Sequence, residues 1–248
     1  MIWAELTKLK RSSTWLIAVV LPLVAVTTGT LNLANNRDTF DAGWASFTSQ
    51  VVLFYGLLFY SLGIGLLAAT VWRAEHSGGN WNGLVTSTTR PLALVLAKVV
   101  AIAVPVVLMQ VVLLAGTFIS GAAVLRLQGD VPWNLLLVGM IAVIAALPLI
   151  AIQSLLSMLF KSFAAPVAVC FLGCVIAIAS VTSTGLRPLS YVVPQALNTR
   201  ALNLGSTAIA ESGGLTMVDT LPILGSAVAA AAVVVVLTLA AIKYLKAR

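Results

Sequence analysis

Six long stretches of this chain carry no charged side chain: Ser12 to Asn36, Ala42 to Trp72, Val99 to Leu125, Val131 to Phe160, Ser162 to Leu186 and Thr220 to Ile242. They run to 25, 31, 27, 30, 25 and 23 residues. About 20 apolar residues in a helix cross about 30 Å of hydrocarbon, so each stretch is long enough to span a membrane. The pattern predicts an all-α, polytopic membrane protein in which residues 1–248 form one transmembrane domain. The six spans fall at about 13–34, 47–72, 97–125, 134–160, 164–184 and 221–243.

The polar intervals have their own texture. In Met1 to Arg11, Ile2, Leu6 and Leu9 recur at helical spacing while Glu5, Lys8 and Arg11 lie elsewhere around the helix. This predicts an amphipathic helix over 1–11 lying in the interface, with Trp3 at headgroup depth. The longest polar interval of the Lys-rich side, 73–96, holds Glu75, the single His76, Gly78-Gly79 and Asn80-Trp81-Asn82. A mixed polar and aromatic loop between two spans can touch a soluble partner. On the opposite side, 187–219 is the longest non-spanning segment. In it Val193, Leu197, Ala201 and Leu204 suggest an amphipathic helix resting on the bilayer surface. Pro148 predicts a break or bend in the fourth span.

Composition sharpens the picture. The chain is 60% hydrophobic and 8% charged with a mean hydropathy of +1.08, against roughly a quarter charged in soluble domains. The net charge of +7 would suit nucleic acid, but its distribution has another cause. Lys8, Lys10, Arg11, Arg73, Arg90, Lys98, Lys161, Lys243, Lys246 and Arg248 fall on one side, and only Arg37, Arg126, Arg187 and Arg200 on the other. The positive-inside rule then puts both termini and 73–96 in the cytoplasm and leaves no reason to invoke nucleic acid.

Candidate chemistry is sparse. There is no G-x-x-x-x-G-K-[ST] loop to hold ATP phosphates, no H-E-x-x-H and no cluster of metal ligands. Cys170 and Cys174, spaced i, i+4 in an apolar run, read as small packing residues. None of the six runs contains Asp, Glu, Lys, Arg or His, the residues on which ion-coupled transporters depend, so an energy source outside the chain is expected. Tyr55, Tyr60, Gln110 and Gln153 are the polar handles inside the runs, either lining a substrate path or bonding helix to helix.

Phe47 to Lys98, with its EH-x-G-x-N-W-N loop, resembles the ABC-2-type permeases of lantibiotic immunity transporters. Glu5 to Ser12, Val131-Pro132-Trp133, Ala145 to Gln153 and Ser157 to Pro166 are similar too, and the likeness fades after about Ala179. The resemblance implies a six-helix permease of the bacterial plasma membrane, without an ATPase site of its own. It implies two copies of an ABC ATPase carrying ATP and Mg, a second permease subunit, similar or identical, and export of a lantibiotic-like peptide or other amphiphilic antibiotic. By the same resemblance, Trp3, Glu5 and Lys8 on the interfacial helix, and Arg73, Glu75, His76, Asn80, Trp81 and Asn82, rest on the ATPase. A non-transporting membrane scaffold or sensor component is the alternative reading.

Overall fold

The computed structural model describes residues 2–10, 12–36, 43–76, 91–204, 206 and 217–246. They are mostly helical, in the order α1 (Ile2–Leu9), α2 (Thr14–Asn35), α3 (Trp44–Phe54), α4 (Tyr60–His76), α5 (Pro91–Ile119), α6 (Asn134–Ala145), α7 (Leu147–Leu159), α8 (Ala164–Thr182), α9 (Pro194–Leu202) and α10 (Met217–Lys246). Six helical stretches among them are long and apolar enough to cross a membrane: Thr14–Asn35, Trp44–His76, Pro91–Val124, Asn134–Leu159, Ala164–Thr182 and Thr220–Tyr244.

The second and fourth of these are each built from two helices. A π-helical turn at Tyr55–Phe59 joins α3 to α4, with one residue more per turn than an α-helix takes. Between α6 and α7 the helix is interrupted at Ala146, two residues before Pro148, which has no N–H for the ladder. Inside the bundle α2 packs along α3 and α5, α4 lies against α7 and α8, and α10 crosses α7. Small residues permit the closest approaches. A Cβ added at Gly29 of α2 would stand 2.6 Å from Val51 Cγ2 and 3.1 Å from the Val51 backbone on α3.

The two ends of the bundle differ. At one, Thr30 and Ser120 share a hydrogen bond of 2.7 Å and Asn32 donates to Gln50 at 2.7 Å. At the other, α1 crosses the start of α5, and Ile242 of α10 packs with Trp72, Val95 and Met158. The first and last helices therefore bring their outer ends to the same end of the bundle.

Two expectations change. The segment after the second span is not loop over its whole length: α4 runs on to His76, and α5 begins at Pro91, a residue whose fixed φ suits the first helical position. Lys98 thereby lies two turns inside a helix. The expected surface helix is also placed differently. A 3₁₀ segment at Thr184–Tyr191 leads into α9, which packs among α6, α8 and the π-helical turn rather than lying on a bilayer surface. Leu197 and Ala201 face inward as their spacing suggests, but Gln195, Asn198 and Thr199 are buried as well. Thr199 Oγ1 donates to the Gly56 carbonyl at 2.7 Å, inside the π-helical turn, and Asn198 Nδ2 donates to Ser61 Oγ at 3.3 Å. Those two donors find partners, which offsets the cost of burying them.

Candidate functional site

Four charged residues, Glu5, Lys8, Glu75 and Lys98, gather where α1, α4 and α5 meet. On α1, Glu5 and Lys8 are three residues apart and so share a face. That face turns inward with Leu9, while Trp3, 82% exposed, points away. Trp15 fastens the end of the helix, its indole N–H donating to the Leu9 carbonyl at 2.8 Å. The last turn of α4 contributes Trp72, Glu75 and His76, and the second turn of α5 contributes Lys98.

Lys98 has no exposed surface, and its ammonium is held by two carboxylates from two other helices. Nζ lies 2.7 Å from Glu5 Oε2 and 2.7 Å from Glu75 Oε1, and it stands 5.0 Å from the centre of the Trp72 ring. Lys8 closes the group from the open side, 2.9 Å from Glu5 Oε1 and 2.6 Å from Glu75 Oε1. Two acids and two amines make the cluster neutral, which is the condition under which charges tolerate burial. The aromatic face adds a cation–π contact on one side of Lys98. The Trp72 indole N–H, in turn, donates to Ser154 Oγ at 2.9 Å and anchors the ring to α7. Burial works against the Lys8 ammonium, yet its hydrogen bonds to Glu75 and Glu5 and their negative charge outweigh it and hold its pKa above the ordinary lysine value.

Beside the cluster lies a cavity of about 350 Å³ between α1 and α4, lined by Glu5, Lys8, Ser12, Thr70 and Arg73 among others. Arg73 is exposed and carries its guanidinium over the Phe163 ring at 5.8 Å. His76 Nε2 makes a 2.8 Å hydrogen bond with the Ser157 carbonyl on α7.

Glu75, which the resemblance implies rests on the ATPase, is 5% exposed, and its near neighbours are two ammoniums of this chain. Arg73 does offer a surface, and Asn80, Trp81 and Asn82 lie outside the described residues. The expectation of an interior free of ionisable groups also needs correction, because Glu75 and Lys98 are buried on helices that extend past the uncharged runs. The expected span over 97–125 puts Lys98 only at its edge; counted from Pro91, where the helix begins, it lies two turns inside.

The polar handles of the spans lie deeper. Tyr55 and Tyr60 are buried with ring centres 5.2 Å apart, and the Tyr60 hydroxyl donates to the Ala142 carbonyl at 3.1 Å. Gln110 sits beside Tyr60, and Gln153 is enclosed between α7 and the Gly65 stretch of α4, its amide meeting no hydrogen-bond partner among the described residues. The structure thus brings Tyr55, Tyr60 and Gln110 together, while Gln153 lies near Gly65. Cys170 and Cys174 are buried and free, and the Cys170 thiol donates to the Ser61 carbonyl at 3.2 Å. Among the described residues no three metal-ligating side chains converge.

A family model of ABC-2 family transporter proteins matches residues 1–179, a stretch that includes every member of the ion cluster and the first five spans up to the last turn of α8. No curated protein and no solved structure matches the chain.

Proposed function

The chain belongs to the ABC-2 transporter family and is a membrane permease subunit, and from that premise we propose that it works in an exporter driven by two ABC ATPase copies. ATP and Mg are bound on those partners, and a second permease, similar or identical to this chain, completes the membrane part. The ATPases meet α1 and the 73–90 segment on the cytoplasmic face of a bacterial plasma membrane, where the excess of Lys and Arg puts both termini. The observation that carries this reading is the convergence of α1 with the end of α4 and the start of α5, the two helices that lead into and out of residues 77–90. A partner seated there touches the interfacial helix and both flanking spans together.

The cargo we propose is a lantibiotic-like peptide or a comparable amphiphilic antibiotic, so that export confers immunity. Resemblance of Phe47–Lys98 to immunity permeases supports it. Tyr55, Tyr60, Gln110 and Gln153, all buried, would meet such cargo through hydroxyls and amides only when the bundle opens. The test is flux: inverted vesicles containing the chain, a second permease and the ABC ATPase should accumulate a fluorescent lantibiotic when given ATP and Mg. Binding of the ATPase without ATP-dependent accumulation would refute the cargo, and failure to bind any ABC ATPase would favour a scaffold or sensor role.

A further inference from the structure

Lys98 occupies a place where an ammonium needs a reason. Replacing a buried ion cluster by apolar side chains of similar volume is often neutral or even stabilising. The neighbouring turns of α5 supply such side chains freely, with Leu94, Val95, Ala97, Ala101 and Ile102 all buried. Stability alone therefore does not account for the charge. Its connectivity does. One atom, Lys98 Nζ, bonds to Glu5 on α1 and to Glu75 on α4. Lys8 repeats the bridge between the same two acids from the open side.

We propose that Lys98 is a positioning residue for energy coupling: it locks α1, the last turn of α4 and the first turns of α5 into one lever, so that displacement at the ATPase-facing side reaches the spans undiminished. The proposal rests on the reading that these elements face the ATPase. Apolar contacts between helices can slide past one another by small shear steps. A buried ammonium between two carboxylates cannot, because separation strands a charge in a poorly solvated site. The lever also divides its output. From its root α4 runs on against α7 and α8, while α5 runs on against α2. A single push at α1 therefore moves two groups of helices. The Trp72 ring, stacked beneath Lys98 and hydrogen-bonded to Ser154, ties α7 to the same point.

The test separates a coupling role from a structural one. Lys98→Met alone leaves Glu5 and Glu75 unneutralised by it, so the informative variant is the triple change Glu5→Gln, Glu75→Gln, Lys98→Met, which removes the buried charges together and nearly keeps their shapes. Parent and variant are reconstituted with the ABC ATPase and second permease. Thermal midpoint, retained ATPase, ATP hydrolysis and labelled lantibiotic moved per ATP are then measured. The triple variant is expected to keep its midpoint while the cargo moved per ATP hydrolysed falls at least tenfold. Unchanged cargo per ATP would overturn the lever, and so would a triple variant that loses its midpoint or fails to fold, since the cluster would then serve stability. A parent that binds no ABC ATPase would instead overturn the transport reading, and the lever with it.

Discussion

Glu75→Lys is the single substitution whose consequence the structure changes most. As a docking-group change it would weaken partner binding and leave the membrane domain intact. In the cluster it turns a neutral group of two acids and two amines into three amines facing Glu5 alone. The parent loses two charge-assisted contacts, at 2.6 Å from Lys8 and 2.7 Å from Lys98. Hydrogen bonds to charged groups contribute about 1.5–3 kcal/mol each. The Lys8 contact is discounted, because that side chain is 47% exposed and can swing into water. Lys98 has no such escape. A new ammonium about 4 Å from it adds a repulsion of about 4 kcal/mol at an effective dielectric of about 20. With relaxation a net loss of about 4 kcal/mol is expected, in line with the 3–5 kcal/mol typical of a broken buried pair. At roughly 2–4 °C per kcal/mol for a chain of this size, the midpoint in detergent should fall by roughly 8–16 °C. Inverting all four charges (Glu5→Lys, Lys8→Glu, Glu75→Lys, Lys98→Glu) restores every opposite-sign contact and should recover at least half of the loss. A midpoint for Glu75→Lys within about 2 °C of the parent would refute the claim that this carboxylate is held between ammoniums.

Other changes test the remaining joints. Gly29→Ala drives a methyl group into Val51 and its backbone, so it should cost about 1–3 kcal/mol in an unfolding assay, as overpacking does. Thr199→Val removes the donor to the Gly56 carbonyl at nearly constant volume, and hydrogen–deuterium exchange of the amides in α9 should quicken several-fold. The pH dependence of α1 docking has a definite sign. The folded pKa of Lys8 is raised above its unfolded value of 10.5, so its contribution is complete below about pH 10.5 and is lost as pH climbs through the higher folded pKa. Trp15 fluorescence in a single-Trp variant should therefore hold steady from neutral pH to about 10, and Lys8→Met should abolish the alkaline transition that follows.

The spans were legible because charge is so strongly excluded from them; 23 or more uncharged residues in a row leave little else for a helix to do. The same reliance on charge as a delimiter hid the site. Ending each run at the nearest ionisable residue leaves Glu75 in the 73–96 loop and Lys98 at the very edge of the 97–125 span, although both lie on helices and their charges are neutralised by a distant part of the chain. Pairing across 23 residues of sequence, with a third partner at position 5, leaves no periodic trace. The inward stripe of α9 could be read from Leu197 and Ala201, but its polar residues look solvent-facing until the carbonyl at Gly56 is known to accept from one of them. Nothing in Tyr-Gly-Leu-Leu-Phe announces a π-helical turn.

That turn sets the phase of the second span. An α-helix advances about 100° per residue, so one surplus residue at Tyr55–Phe59 offsets the faces of α3 from those of α4. Trp44, Phe47 and Val51 lie in the core on the α3 side of this offset. Removing one residue there would keep enough length to cross the bilayer yet swing those three side chains toward lipid, whereas trimming a residue from the membrane-facing end of α3 would leave the pitch of everything after it undisturbed. Length tolerance along this span is therefore a matter of position rather than of number.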